Sequence, residues 1–472
     1  MDSSDLNWRS ATKLSKLFKA GAVSPVEVAK ACLAQIERLD KSINAMSFLD
    51  AKATLKQAKA SEKRWKSGTS RGALDGVPLL IKDLLLVKGW PTLRGSKTVN
   101  KDQAWADDAP SVARLREAGC VFMGMTTTPE FGWKGVTDSP LTGITRNPWN
   151  LEKTPGGSSG GSSAALAAGY APLALGTDGG GSIRIPAGFS GVFGLKPSFG
   201  RVPAWPISPF GTVAHVGPMT RRVKDSALML NAISKPDARD WFGLPGDDAN
   251  YLARLEDGVK GMKIAYSPDL GYVKVDPEVA ARVHEAVGVL RKLGAKIIKV
   301  DPGFSDPAAM FRTIWWTGVR GALGALPPEK VALLDPALRD VLEQSKSITV
   351  DELIEAQKQR GALGSQMRQF MEDYDALVTP TLPIPAFDAG KLQPDAPDNE
   401  GKWVNWTPIS YPFNLTQQPA ASVPCGFTKA GLPVGLHVVA QMFADAKVLQ
   451  ICAAYERETK WHDARPEMAK AV

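Results

Sequence analysis

Residues 155–186 read PGGSSGGSSAALAAGYAPLALGTDGGGSIRIP, two glycine-rich serine turns separated by a helix-like and a strand-like run. No other stretch constrains the fold as tightly. Ser163–Gly169 suits a closely packed helix, and Pro172–Thr177 suits a buried strand. One helix followed by one strand returns the chain near its starting point, so the turns carrying Ser158 and Ser182 line one cleft. In Asp178-Gly179-Gly180-Gly181-Ser182, three successive positions lack side chains. Such a turn can aim several backbone N–H groups inward and admit a ligand against the main chain.

A serine is a weak nucleophile at neutral pH and needs a base within hydrogen-bond reach. The chain has only His215, His284, His437 and His462, none beside a catalytic-looking segment. Lysine can replace histidine where burial favours the neutral amine. Lys82 meets that condition, flanked by Leu79, Leu80, Ile81, Leu84 and Leu85, which make both faces of a strand apolar. A snorkelling lysine, or one ion-paired with Asp83, is the competing reading of this position. For the loops, a phosphate cradle competes weakly, because GxxxxGK[ST] is missing and the segment holds no GxGxxG. Gly156-Gly157-Ser158-Ser159-Gly160 also satisfies GxSxG, but that nucleophile elbow needs a strand before it, and Asn147–Pro155 reads as loop.

Elsewhere helices alternate with short apolar runs. Ser24-Pro25-Val26-Glu27 has the form of a capping box opening a helix, and the first seventy residues read as helical. Helix-like Ser111–Gly119 precedes Cys120–Met125, and Asp276-Pro277-Glu278 opens a helix that ends near Gly294 before Ala295–Val300. Ala376–Thr379, Ala420–Cys425 and Val434–Val439 read as buried strands, and Ala446–Glu458 as a closing helix. This rhythm predicts a largely buried α/β sheet without a domain boundary. The one prominent loop is Asp388–Lys402, a surface loop or a mobile lid.

The net charge of +8 is spread over 57 basic and 49 acidic residues, with no basic run of the kind that tracks nucleic acid. Cys32, Cys120, Cys425 and Cys452 are too scattered for a zinc site or a disulfide framework and read as buried thiols. The N-terminal MDSSDLNWRS lacks a signal pattern, and no segment approaches the roughly 18 consecutive apolar residues of a membrane span. The expectation is a cytoplasmic protein engaging neither membrane nor nucleic acid.

Taken together, DGVPLLIKD around Lys82, GGSSGG around Ser158 and GTDGGGSIRIP around Ser182 resemble the amidase signature family of serine hydrolases, in particular its bacterial aryl-acylamidase and urethanase-type members. Gly217–Arg221, Ala376–Thr381 and VPCGFTKAGLPVGLHVVA extend the resemblance to roughly residues 20–460. One departure is Gln417, where relatives often carry glycine.

The resemblance implies a single domain over 1–472. Its large mixed, twisted sheet would be covered by helices on both faces, with residues 1–70 packed on a catalytic core at 74–235. It implies a Ser182–Ser158–Lys82 triad in which the Ser158 peptide bond is cis. Backbone N–H groups of Gly179, Gly180, Gly181 and Ser182 would form the oxyanion hole, with Ser159 alongside and Asp178–Arg184 as a structural ion pair. It implies amide hydrolysis through an acyl-enzyme, without metal or cofactor, by a monomer or homodimer.

Thirteen tryptophans, several near these loops (Trp133, Trp205, Trp315, Trp316, Trp403, Trp406), favour an apolar or aromatic substrate. Trp133, Trp205, Phe210, Trp316 and Trp406 are the candidate pocket walls, and Trp205–Phe210 and Asp388–Trp406 the candidate specificity loops. Carbamates, urethanes and esters share the carbonyl chemistry. The alternatives are a glutaminase subunit serving charged tRNA and a non-catalytic binding protein on the same fold.

Overall fold

The computed structural model describes residues 3–246, 249–395 and 403–470. These residues contain thirteen strands: β1 (Met46–Phe48), β2 (Pro78–Lys82), β3 (Val121–Thr126), β4 (Asp138–Ser139), β5 (Gly143–Ile144), β6 (Leu173–Asp178) and β7 (Phe193–Lys196) come first. β8 (His215–Thr220), β9 (Lys263–Tyr266), β10 (Lys296–Lys299), β11 (Ala376–Pro380), β12 (Ala420–Phe427) and β13 (Pro433–Val439) follow. Eleven of them form one mixed sheet in the order β1-β3-β2-β6-β8-β7-β12-β13-β11-β9-β10, while β4 and β5 make a separate hairpin. β7 pairs with β12 across more than two hundred positions of sequence, so the two halves of the chain share one sheet rather than two cores.

Both faces of that sheet are covered, because strand side chains alternate sides. Ile264, Val378, Ala421 and Val438 join one apolar cluster with Val279 and Val283 of the helix Pro277–Lys292 and Leu449 of Asp445–Thr459. Their neighbours Ala265, Leu377, Ala420 and Val439 join another, packed under Phe311, Leu338 and Met367 of the helices Ala308–Leu323, Pro336–Ser345 and Val350–Phe370. The fold is a single-domain α/β sandwich.

Local sequence accounts for much of this. The helix Pro25–Ile43 opens on the expected capping box: the Ser24 hydroxyl accepts from the Glu27 amide, and the Glu27 carboxylate accepts from the Ser24 amide. Asp276 caps Pro277–Lys292 without the reciprocal bond, its carboxylate accepting from the Glu278 and Val279 amides. Two expectations need correction. The N-terminal region is not wholly helical, since Met46–Phe48 interrupts it as the edge strand β1, paired antiparallel with β3. At the other edge, β10 is mostly exposed rather than buried. Lys296 and Lys299 stand there, charges that discourage further strand pairing. No helix among the described residues is long and apolar enough to cross a membrane.

Candidate active site

β2 and β6 run parallel, with Ile81 beside Leu175, so Lys82 and Thr177 finish at the same end of the sheet, where parallel sheets usually bind ligands. Lys82 is fully buried. Its Nζ lies 2.7 Å from Ser158 Oγ, 2.9 Å from Ser159 Oγ and 2.9 Å from Thr177 Oγ1. Burial pushes the ammonium well below its ordinary pKa, opposed by the negative charge of Asp178. The neutral amine is therefore the form the site favours. Ser158 follows a cis Gly157–Ser158 peptide bond. Residues 145–157, which lead into Ser158, form no strand, and this removes the elbow reading. A Cβ on Gly157 would fall 2.6 Å from the Val136 carbonyl group, so only glycine fits there.

The second serine turn is held by a buried network. The Asp178 carboxylate accepts from the Gly181 amide at 2.8 Å, from Arg184 Nε and Nη2 at 3.0 Å each, and from Asn414 Nδ2 at 2.8 Å. Arg184 also reaches the Ser410 carbonyl at 2.9 Å and lies 3.1 Å from His437 Nε2. Burial alone would raise the Asp178 carboxyl, but the Arg184 guanidinium, helped by Lys196 and Asn414, holds it well below the usual carboxylate range. Gly181 adopts φ 124° and packs where a Cβ would meet Ser410 Oγ at 2.4 Å. The Ser159 amide donates to the Ser182 carbonyl at 3.1 Å, tying the two turns together.

Ser158, Asp178, Gly179 and Ser182 border one cavity of about 320 Å³. This narrows the expected oxyanion donors. The Gly181 N–H is turned onto Asp178, which needs it to compensate a buried charge, and neither Gly180 nor Gly181 lines the cavity, whereas Gly179 and Ser182 do.

Of the expected pocket walls, Trp205 and Phe210 line the cavity, and Trp315 joins them, its ring stacked on Phe210 at 3.9 Å. The other three do not. Trp316 lies one residue further round the same helix and faces Gln344. Trp406 stacks on Phe189 at an interplanar angle of 7°. Trp133 is buried, and its carbonyl accepts the Trp315 indole N–H at 3.0 Å. Of the loop at 388–402, residues 396–402 lie outside the described residues. Its first part docks away from the cavity, where Lys153 Nζ meets Asp388 Oδ1 at 2.7 Å and the Ala389 amide donates to the Glu152 carbonyl at 2.8 Å.

The sequence reading gave no site role to several groups that border the cavity or the lysine, among them Thr177, Arg94, Phe131 and His215. His215 reaches the site through the β6–β8 register, opposite Asp178. Burial, then Lys196, keeps its imidazole well below the usual histidine range. Gln417 adopts φ 66°, the left-handed conformation that glycine favours. Its side-chain amide donates to the Thr212 carbonyl at 2.9 Å, just beyond the Trp205–Phe210 wall.

With this geometry, the chain matches the Amidase family over residues 27–449. It is 37% identical to an acylamidase of Rhodococcus erythropolis over 99% of this chain and 98% of that one. It is 35% identical to a glutamyl-tRNA(Gln) amidotransferase subunit of Symbiobacterium thermophilum, covering 98% and 99% of the two chains. The crystal structure of a bacterial aryl acylamidase superposes with a TM-score of 0.91 at 30% identity, covering 98% of this chain and 99% of that one. The protein belongs to the Amidase family, as an amide hydrolase of the amidase signature class.

Proposed function

We propose that this enzyme cleaves aryl and other apolar amides through an acyl-enzyme on Ser182. The observation that carries the reading is the buried Lys82 Nζ, 2.7 Å from Ser158 Oγ in the wall of the cavity that Ser182 shares. The Ser159 hydroxyl donates to the Thr177 carbonyl at 3.2 Å, so it can only accept from Lys82. One amine N–H points there and the other at Thr177 Oγ1. The remaining lone pair then faces the Ser158 hydroxyl.

In this mechanism Lys82 takes the Ser158 proton as Ser158 takes the Ser182 proton, and Ser182 Oγ adds to the carbonyl carbon. The Gly179 and Ser182 N–H groups, at the cavity rim, are the donors for the developing oxyanion. Collapse breaks the C–N bond while the proton returns through Ser158 to the leaving nitrogen, so an amine departs rather than its anion. Water, deprotonated by the same relay, cleaves the ester and frees Ser182. All three residues fall within the segment 74–235, the catalytic core of the single domain.

The aromatic walls, with Phe131, Trp205, Phe210 and Trp315, support an apolar or aryl substrate, as does the likeness to acylamidases. Carbamates, urethanes and esters present the same carbonyl, and urethanase activity belongs to the proposal. The likeness to one component of an amidotransferase keeps glutamine hydrolysis as the second reading, which the aromatic walls favour less than an aryl amide. We read the protein as a cytoplasmic monomer or homodimer acting on small molecules rather than nucleic acid. A panel of anilides, carbamates, short esters and glutamine tests the reading. Anilide cleavage exceeding glutamine hydrolysis by kcat/KM supports it, and the reverse order overturns it.

A further inference from the structure

The cavity beside Ser182 contains a cation that the relay does not use. Arg94 lines it, half-buried, yet its guanidinium makes no hydrogen bond or ion pair with any of the described residues. The other charged side chain in the wall, Asp178, is fully engaged by Arg184, Asn414 and the Gly181 amide. His215 is held neutral by its burial. Asp83, which acts on Arg94 electrostatically, makes no ion pair with it among the described residues and is itself pushed up to about 7 by burial. A guanidinium does not shed its charge, and one that lines a cavity without a protein partner is open to pair with an anionic group entering it.

The backbone around Arg94 is also unusual. Arg94 adopts φ 57° and Phe131 φ 53°, the left-handed conformation uncommon for such side chains. The two are joined by a hydrogen bond from the Phe131 amide to the Arg94 carbonyl at 2.8 Å, and both line the cavity. Gly132, next along, packs so closely that a Cβ there would lie 3.3 Å from Ser158 Oγ. Arg94 is thereby anchored to the loop that touches the relay. Conformations of this kind persist where the surroundings enforce them, and they gather at ligand-binding positions.

Resting on the amidase reading, we infer that Arg94 is a specificity residue that binds a carboxylate on the substrate, so that the preferred class is an aryl amide carrying an acidic group. The ring would lie against Trp315 and Phe210, and the carboxylate would face the guanidinium fork, which matches its two oxygens. The carboxylate could stand on the leaving arylamine or on the acyl group.

Three substrates separate these cases: acetanilide, 4-acetamidobenzoate (acid on the amine) and succinanilic acid (acid on the acyl group). Each is assayed with wild type, Arg94→Met and Arg94→Lys, with melting temperatures recorded. The inference predicts that kcat/KM for one acidic substrate, relative to acetanilide, falls about 10- to 100-fold in Arg94→Met. That loss should lie chiefly in KM and be partly restored in Arg94→Lys. A common loss on all three would overturn it, because Arg94 would then serve Asp83 or the loop. An unchanged ratio for both acidic substrates would overturn it as well.

A second readout needs no turnover. Fluorophosphonate labelling of Ser182 is followed with and without each acidic compound. Protection stronger in wild type than in Arg94→Met supports the inference, and equal protection contradicts it. Absence of labelling at Ser182 in wild type would instead refute the amidase reading itself.

Discussion

Lys82 Nζ and Ser158 Oγ lie 2.7 Å apart although 76 positions separate them in the chain. Parallel pairing of β2 with β6, and the return of the chain through the helix Gly160–Ala167, produce the contact. An amine with no carboxylate in contact, surrounded by three hydroxyls, has little to keep it protonated. Its lowered pKa follows from burial, with Asp178 the opposing influence. The chemistry proposed above depends on that balance.

Replacing Lys82 with alanine should therefore lower kcat by at least about 10²–10⁴-fold, the range of a lost general base. In wild type, activity needs the neutral amine, so kcat/KM should rise with pH through the folded-state lysine pKa and be level above it. Because burial lowers that pKa, the level region should begin below the pH at which an exposed lysine titrates. Lys82→Ala should lose this limb and keep only a shallow rise toward alkaline pH. Near-wild-type activity in Lys82→Ala, together with inactivity in His437→Ala, would assign the base elsewhere.

The buried Asp178–Arg184 pair predicts a stability effect. Asp178→Asn leaves the Arg184 charge inside the protein with a weaker partner, and removing one member of such a pair typically costs about 3–5 kcal/mol. The urea midpoint should fall accordingly at pH 7. Since the folded-state carboxyl is held below its unfolded value, its contribution is complete above about pH 4 and is lost as pH falls through the folded value. The difference between variant and wild type should then shrink in acid. A constant difference across that range would contradict this account.

Aromatic selectivity should follow cavity membership rather than aromaticity. Phe210→Ala removes a ring stacked on Trp315 and should raise KM for anilides by roughly 10-fold, about the cost of a lost apolar contact in a binding pocket. A small ester should be affected much less. Trp406→Ala, which removes the partner of Phe189, should lower the melting temperature and leave the anilide-to-ester ratio as it is. A change of selectivity in Trp406→Ala alone would move the pocket to the 388–406 side.

The contrast between those two aromatics shows where the sequence was readable. Ser24–Glu27 and Lys82 between apolar flanks each carry a local physical requirement, and each occupies the setting that requirement predicts. Trp315 and Trp316 carry none. They are adjacent on a helix, where each step rotates the side chain by about 100°, so one faces the cavity and its neighbour faces Gln344. Arg94 and His215 enter the wall through a loop conformation and a strand register, neither of which leaves a short-range pattern. Gly181 misled for a different reason: its amide does point inward, but toward Asp178.

The central claim is that Ser182 becomes acylated and that Ser158 and Lys82 move its proton. It is tested most directly by reacting wild type, Ser158→Ala and Ser182→Ala with a neutral fluorophosphonate and mapping the adduct by peptide mass spectrometry. The account predicts one adduct on Ser182 in wild type, the same adduct formed much more slowly in Ser158→Ala, and none in Ser182→Ala with its melting temperature preserved. An adduct on Ser158, or labelling that survives in Ser182→Ala, would contradict it.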